Sequence, residues 1–87
     1  MADRYNIQIP KLARKVMSKI PLPWSERIIK TIGQLSADPY LGEKMSGKLS
    51  DCRKIRVWPY RVIYKIDKRA KTILIVEVNN RGNMSYD

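Results

Sequence analysis

Residues 53–66 have the sequence RKIRVWPYRVIYKI, in which apolar side chains largely alternate with cationic or polar ones. An alternation with a period of two is typical of a β-strand that has one buried face. Two strands are therefore predicted, at Arg53–Trp58 and at Tyr60–Ile66. A third strand is predicted at Thr72–Asn79, after a polar hairpin connection at Asp67–Lys71.

The upstream half of the chain combines one further strand with two helices. Residues 4–9 alternate like the strands above, and Pro10 suits the first turn of a helix, where its missing N–H costs nothing. Pro21 and Pro23 end that helix and start a second one, which runs to the break at residues 37–39. The order βααβββ predicts an α+β fold, in which a helical hairpin packs on one face of a small, mainly antiparallel sheet.

Helical periodicity and strand parity predict which side chains form the core. The helices present two apolar stripes, which are Leu12, Ala13, Val16 and Ile20 in the first and Trp24, Ile28, Ile32 and Leu35 in the second. The strand residues predicted to face these stripes are Ile55, Val57, Val62, Tyr64, Ile66, Leu74, Val76 and Val78. Lys54, Arg56 and Arg61 then fall together on the opposite, uncovered face of the sheet.

The composition excludes several classes of function. The chain has 87 residues and a formal net charge of +10, which indicate one small domain (residues 1–87) with a polyanionic partner. It contains no histidine, one cysteine and scattered carboxylates, so neither a metal site nor a cofactor is expected. No apolar run is long enough to span a membrane and no signal peptide is recognisable, which favours a cytoplasmic location.

Cations and one tyrosine in the C-terminal half indicate phosphate chemistry. Guanidinium and ammonium groups bind phosphate, and arginine does so with a planar fork of donors. Lys54 is the predicted proton acceptor, because the like charges beside it disfavour its protonated form. Arg61 and Arg81 are predicted to stabilise the extra charge on the phosphate, and Tyr86 to exchange a proton or to stack on a base. Together these groups suit the cleavage of RNA by attack of its own 2′-hydroxyl.

Three further residues are predicted to contact RNA: Arg53, Trp58 and Lys65. For Trp58 two interpretations remain open. The favoured one is packing within a hairpin around Pro59, and the other is stacking of an exposed indole on an RNA base. For the whole group of cations, the alternative on composition alone is a solvated basic face with no chemical role.

The ordered set Asp51–Arg56, Tyr60–Tyr64, Arg81 and Tyr86 resembles the RelE family of bacterial toxins, within the RelE/ParE superfamily. The helical hairpin and the break at residues 37–39 are similar to the family too, so the resemblance covers nearly the whole chain. It implies the toxin of a type II toxin–antitoxin system. It further implies an mRNA interferase, a ribosome-dependent endoribonuclease that cleaves mRNA in the ribosomal A site and so inhibits translation.

The resemblance also implies a role for each matching residue. These roles are general base for Lys54, stabilisation of phosphate charge for Arg56, stabilisation of the transition state for Arg61, assistance to the leaving group for Arg81, and a place near the scissile nucleotide for Tyr86. The sequence departs from the family at Asn80, where relatives often carry a basic residue. Arg56 in place of a lysine keeps the charge but is a poor proton donor.

The implied partners are a cognate acidic antitoxin similar to RelB, the 70S ribosome and mRNA. No membrane partner is expected, and homo-oligomers are expected only through the antitoxin complex. Two other functions fit the sequence: a ParE-like toxin that inhibits DNA gyrase without ribonuclease activity, and a non-toxic basic protein that binds nucleic acid. Lys54, Arg81 and Tyr86 favour the ribonuclease, because a toxin that acts only by binding need not keep them.

Overall fold

The computed structural model describes residues 4–80. Strand β1 (Asn6–Gln8) precedes two helices, α1 (Lys11–Ser18) and α2 (Trp24–Ala37). The remaining strands are β2 (Glu43–Lys44), β3 (Cys52–Val57), β4 (Tyr60–Asp67) and β5 (Thr72–Asn80), and short 3₁₀ turns at Pro39–Leu41 and Gly47–Leu49 flank β2. The predicted α+β architecture is confirmed, and the predicted strands differ from β3, β4 and β5 by one residue at most at any end.

The five strands form one mixed sheet in the order β1-β5-β4-β3-β2. Strand β1 runs parallel to β5, and every other pair is antiparallel. The sequence predicts four strands, and the fifth is β2, in which Glu43 and Lys44 pair with Lys54 and Arg53. Two residues are too few to show an alternating pattern, so this edge strand carries no sequence signal of its own.

The core lies between one face of the sheet and the two helices. The predicted stripe of α2 is confirmed, because Ile28, Ile32 and Leu35 are buried and Trp24 is half-buried against them. The core is completed by α1, by Ile20 just after it and by one face of the strands, through Ala13, Ile20, Val57, Val62, Tyr64, Ile73, Ile75 and Val78. These side chains form a single apolar cluster despite the small size of the domain.

The prediction for α1 is only half right. Ala13 and Ile20 are buried and Met17 packs against the core, whereas Leu12 is 79% exposed and Val16 is 44% exposed. Neighbouring residues of a helix point about 100° apart, so the spacing 13, 17 and 20 defines a different face from 12 and 16. The helix has eight residues, and only the face that looks toward β5 is covered.

A β-bulge in β5 changes the side-chain parity of that strand. On the hairpin side of the bulge Tyr64 pairs with Ile75, and on the other side Ile63 pairs with Glu77. Val76 therefore lies between two paired residues as an extra residue with no partner on β4. A bulge of this kind kinks the strand locally and re-aims the side chains that follow it.

The bulge makes the predicted core face of β5 wrong. The sequence assigns Leu74, Val76 and Val78 to the core, but the buried residues are Ile73, Ile75 and Val78, and Val76 is 43% exposed. Uninterrupted alternation cannot describe a strand that contains one extra residue, because the parity reverses there. The predicted faces of β3 and β4 contain no such irregularity and are confirmed.

The hydroxyl of Tyr64 joins the middle of the sheet to the segment before β2. Tyr64 is fully buried, and its hydroxyl donates to the carbonyl oxygen of Pro39 (2.7 Å) and accepts from the amide of Gly42 (2.9 Å). Burial raises the pKa of this phenol above its ordinary value, so it remains a hydrogen-bond donor. Gly42 has no space for a side chain, since a Cβ would lie 2.6 Å from this hydroxyl oxygen.

We expect Tyr64→Phe to lower the free energy of unfolding by about 2–4 kcal/mol, because it leaves two buried backbone groups without partners. Urea denaturation measures this change. Tyr40→Phe is the matched control, because Tyr40 lies in the same segment and its hydroxyl makes no hydrogen bond within residues 4–80. Equal losses from the two variants would show that the buried hydrogen bonds of Tyr64 contribute nothing.

Candidate functional site

The surface of the sheet opposite the helices, called the cationic face below, carries Lys54, Arg56 and Arg61. In one row across the sheet Lys54 pairs with Ile63. In the next row Arg56 pairs with Arg61, and Arg61 in turn pairs with Asn79. Because paired residues point to the same side of a sheet, three of the five predicted catalytic residues lie together, as parity predicts.

Two carboxylates lie on the cationic face, Glu43 opposite Lys54 and Glu77 opposite Ile63, but within residues 4–80 neither forms an ion pair with its cations. Arg56 and Arg61 are directly opposite each other, where side chains of paired strands start about 4.5–5.5 Å apart. Like charges in that arrangement repel each other. Within residues 4–80, Lys54, Arg56 and Arg61 form no ion pair, the one between Lys65 and Asp51 being elsewhere on the sheet. An anion bound between them would relieve the repulsion.

A cleft of about 190 Å³ lies beside Lys54 and Arg56. Its walls are formed by Leu41, Gly42, Glu43, Lys54, Ile55 and Arg56. The short strand β2 ends before it reaches Ile55 and Arg56, so the outer edge of β3 is open at this point. The cleft therefore combines two cations and one carboxylate with a part of the β3 edge that β2 does not cover. The cations and the strand edge are suited to an anionic, hydrogen-bonding ligand.

Arg53 does not lie on the cationic face. It pairs with Tyr64 on the side of the sheet that bears Ile55 and Val57. One nitrogen of its guanidinium donates to the carbonyl oxygen of Gly42 (2.6 Å), and the group lies 4.9 Å from the centre of the Tyr40 ring. Arg53 thus stabilises Gly42 in the wall of the cleft from the helix-covered side of the sheet and does not lie with the other cations.

Lys65 lies on the same side of the sheet as Arg61, but its charge is balanced. Its ammonium is 3.0 Å from a carboxylate oxygen of Asp51, and its side chain is 49% exposed. The hydrogen bond and the charge of Lys65 lower the pKa of Asp51, and Asp51 in turn raises the pKa of Lys65. Both groups are therefore charged at neutral pH, and Lys65 offers less net charge to RNA than its position suggests.

Trp58 is 73% exposed at the turn between β3 and β4. The favoured interpretation from the sequence, packing within the hairpin, is contradicted by this exposure. The turn ends close to the row of Arg56 and Arg61, so the indole lies at the rim of the cationic face, where the other interpretation predicts stacking on an RNA base. Arg81 and Tyr86, the other two predicted catalytic residues, lie outside the described residues.

The cationic face also contains groups for which no role is predicted from the sequence. Asn79 and Glu77 lie on it, and the amide nitrogen of Asn79 donates to a carboxylate oxygen of Glu77 (2.8 Å). Strand parity places both residues on this face, but nothing in the residue types points to a function. Glu43, in the wall of the cleft, belongs to the strand that the sequence does not reveal.

The described part of the chain has neither a cluster of metal ligands nor a membrane-spanning helix. Between residues 4 and 80, no group of three or more His, Cys, Asp or Glu side chains is arranged to hold a metal ion. Neither helix of this part of the chain is long and apolar enough to cross a membrane.

A comparison with known protein families identifies the family of the chain. The family model described as the ParE toxin of the type II toxin–antitoxin system parDE matches residues 8–84. The chain belongs to this toxin family. The resemblance to the RelE/ParE superfamily is thereby confirmed. No protein of curated function matches the toxin by sequence.

The fold of the toxin is similar to solved structures of RelE proteins. The RelBE2 toxin–antitoxin complex from Mycobacterium tuberculosis is 25% identical over 95% of the toxin and 98% of that chain, with a TM-score of 0.83. The isolated RelE toxin of E. coli is 20% identical over 93% and 88%, with a TM-score of 0.80. An archaeal RelE–RelB complex from Pyrococcus horikoshii is 24% identical over 97% and 100%, with a TM-score of 0.73. The two more distant matches establish the shared fold.

We expect Arg56→Ala to weaken binding of a short single-stranded RNA more than Lys65→Ala. Both substitutions remove one positive charge from the same side of the sheet, but Lys65 is engaged by Asp51. Losing one phosphate contact lowers the slope of log affinity against log salt by about 0.7 for a single strand. Titrations at several salt concentrations should show this decrease for Arg56→Ala only. An equal decrease for Lys65→Ala would mean that the ion pair opens on binding.

We expect Trp58→Ala to weaken binding of the same RNA by about 1–3 kcal/mol, the range for loss of one base–aromatic stack. Trp58→Phe should retain much of the affinity, because it preserves an aromatic surface. Leu22→Ala is the matched control, since Leu22 is a similarly exposed apolar residue between the helices. Unchanged affinity in Trp58→Ala would exclude the indole from the interface.

Proposed function

We propose that this toxin is a metal-independent endoribonuclease that cleaves mRNA in the ribosomal A site and so inhibits translation. The observation that carries the proposal is the convergence of Lys54, Arg56 and Arg61 on the face of the sheet opposite the helices, beside a cleft and without an ion pair among residues 4–80. Such a surface attracts the phosphodiester backbone of RNA. The similarity to RelE structures supports the same function.

In the proposed reaction the 2′-oxygen of one nucleotide attacks the adjacent phosphorus. Lys54 accepts the proton of the 2′-hydroxyl, a bond forms between the 2′-oxygen and phosphorus, and the bond from phosphorus to the 5′-oxygen breaks. The 5′-oxygen takes a proton from water as it leaves, so that the products carry a 2′,3′-cyclic phosphate and a 5′-hydroxyl. Arg56 and Arg61 stabilise the added negative charge on the phosphorane. They can do so throughout the reaction because an arginine side chain keeps its proton and its positive charge.

Arg81 and Tyr86 complete the proposed site from beyond the described residues. The family resemblance implies that Arg81 assists the leaving group and that Tyr86 lies near the scissile nucleotide. Since Arg81 keeps its proton, its contribution to the leaving group is electrostatic. Tyr86 remains the proposed neighbour of the nucleotide that is cut.

Dependence on the ribosome follows from the composition of the site. The chain has no histidine, the side chain that usually transfers protons near neutral pH. A site that relies on charge stabilisation gains most when its substrate is already held in line for attack. We propose that the ribosome supplies this alignment and that free RNA is therefore a poor substrate.

The proposed setting is the cytoplasm, with residues 1–87 acting as one toxin domain. A cognate acidic antitoxin similar to RelB is the proposed partner, in keeping with the toxin–antitoxin complexes among the similar structures. A net charge of +10 favours fast, salt-sensitive association with such a partner. Homo-oligomers are proposed to form only through the antitoxin complex.

The second candidate function is inhibition of DNA gyrase by binding alone. The observation in its favour is the match to the ParE family model over residues 8–84. A toxin of that kind has no need of grouped cations beside a cleft. For that reason the ribonuclease is the first proposal and gyrase inhibition the second.

We expect the purified toxin to cleave mRNA on programmed ribosomes and to leave the same RNA nearly intact when it is free. Mapping of the 5′ ends in both samples measures this, and a DNA supercoiling assay with gyrase runs in parallel. Cleavage of both RNA samples at equal rates would reject the dependence on the ribosome. Intact mRNA together with inhibited gyrase would replace the first proposal with the second.

Substitutions test which residues act in the chemical step. Lys54→Ala and Arg61→Ala should each slow single-turnover cleavage by about 10²–10³-fold at saturating toxin, the usual loss for one stabilising group. Lys30→Ala and Arg69→Ala remove the same charges from exposed positions outside the cationic face and serve as controls. If the two site variants lose only affinity, Lys54 and Arg61 are electrostatic anchors rather than catalytic residues.

A further inference from the structure

Within residues 4–80, two buried polar atoms of the cationic face have no hydrogen-bond partner. They are Nε of Arg61, which is a donor, and Oδ1 of Asn79, which is an acceptor. The two residues are directly paired across β4 and β5, so their side chains start from neighbouring points on the same surface. Buried polar atoms are nearly always paired in folded proteins, and an exception calls for a physical explanation.

The orientation of the Asn79 amide is fixed by Glu77. A carboxylate only accepts hydrogen bonds, so the atom that contacts Glu77 at 2.8 Å must be the amide nitrogen of Asn79. The carbonyl oxygen therefore points away from Glu77 and needs a donor. Asn79 is paired with Arg61 on the neighbouring strand β4, and the Nε–H group of Arg61 needs an acceptor.

We infer that Asn79 is a positioning residue for Arg61, which it orients by accepting a hydrogen bond from the Nε–H when phosphate is bound. This bond would satisfy both atoms, because one is a donor and the other an acceptor. The outer edge of the guanidinium then faces the open side, where its two terminal nitrogens form a fork for phosphate oxygens. This inference rests on the proposed function, in which Arg61 stabilises the phosphorane.

The bulge at Val76 is what brings Asn79 to this position. If β5 continued the pairing of its hairpin end without the extra residue, Val78 would be opposite Arg61 and Val76 opposite Ile63. The extra residue shifts the register by one, so that Asn79 and Glu77 take these places instead. Bulges are frequent beside active sites because they re-aim side chains in this way.

The test begins with the Nε–H of Arg61 observed by NMR in ¹⁵N-labelled toxin with inorganic phosphate. The signal is assigned by its loss in Arg61→Lys. In the wild type and in Asn79→Asp, which keeps the acceptor, its exchange with water should be slow. In Asn79→Ala it should be about tenfold faster, as expected when one hydrogen bond to a charged group is lost. Asn6→Ala, an exposed asparagine of β1, is the matched control.

Cleavage kinetics on programmed ribosomes form the second part of the test. Asn79→Ala should slow single-turnover cleavage about tenfold at saturating toxin, with little change in the toxin concentration for half-maximal rate. Asn79→Asp should retain most of the rate. The double variant Arg61→Ala/Asn79→Ala should be no slower than Arg61→Ala, because Asn79 acts through Arg61.

The two measurements separate the possible failures. If exchange of the Arg61 Nε–H is the same in Asn79→Ala as in the wild type, the inference is wrong, whatever the kinetics. A double variant much slower than Arg61→Ala also overturns it, because Asn79 then acts independently. If the wild-type toxin does not cleave mRNA on ribosomes but the exchange rates differ as expected, the contact stands and only the proposed function fails.

Discussion

The buried hydroxyl of Tyr64 holds together the two parts of the molecule on which the candidate site depends. Tyr64 lies in β4, next to the strand that carries Lys54 and Arg56, and its hydrogen bonds fix the segment from Pro39 to Gly42. That segment forms one wall of the cleft. Arg53 donates a hydrogen bond to the carbonyl oxygen of the same Gly42 from the covered side of the sheet. Gly42 is therefore held through both its N–H group and its C=O group.

The close approach at Gly42 explains why no other residue fits there. A Cβ would lie 2.6 Å from the carbonyl oxygen of Lys54 as well as from the Tyr64 hydroxyl. A contact as short as this would force the backbone at Lys54 to move. The glycine thus allows the cleft wall to approach the strand that supplies its main cation.

Much of the fold could be predicted from the sequence, because three strands and one helix have clear periodicity. Ile55, Val57, Val62 and Tyr64 face the core as alternation requires, and this placed Lys54, Arg56 and Arg61 together on the other side. The failures have local causes. A bulge reversed the parity of β5 at Val76, and β2 is too short to show a pattern. The exposure of Leu12 depends on which face of a two-turn helix meets β5, which local sequence does not determine.

Arg53 and Lys54 show why a run of cations cannot be interpreted from charge alone. The two residues are adjacent, but strand geometry sends their side chains to opposite faces of the sheet. Arg53 becomes part of the scaffold, with its guanidinium against Tyr40 and Gly42, and Lys54 lines the cleft. In the proposed site the two residues have different tasks, since Lys54 would act on phosphate and Arg53 would stabilise the cleft wall beside it. Rigid strands place Lys54, Arg56 and Arg61 with the precision that charge stabilisation demands, and this suits a site that lacks histidine.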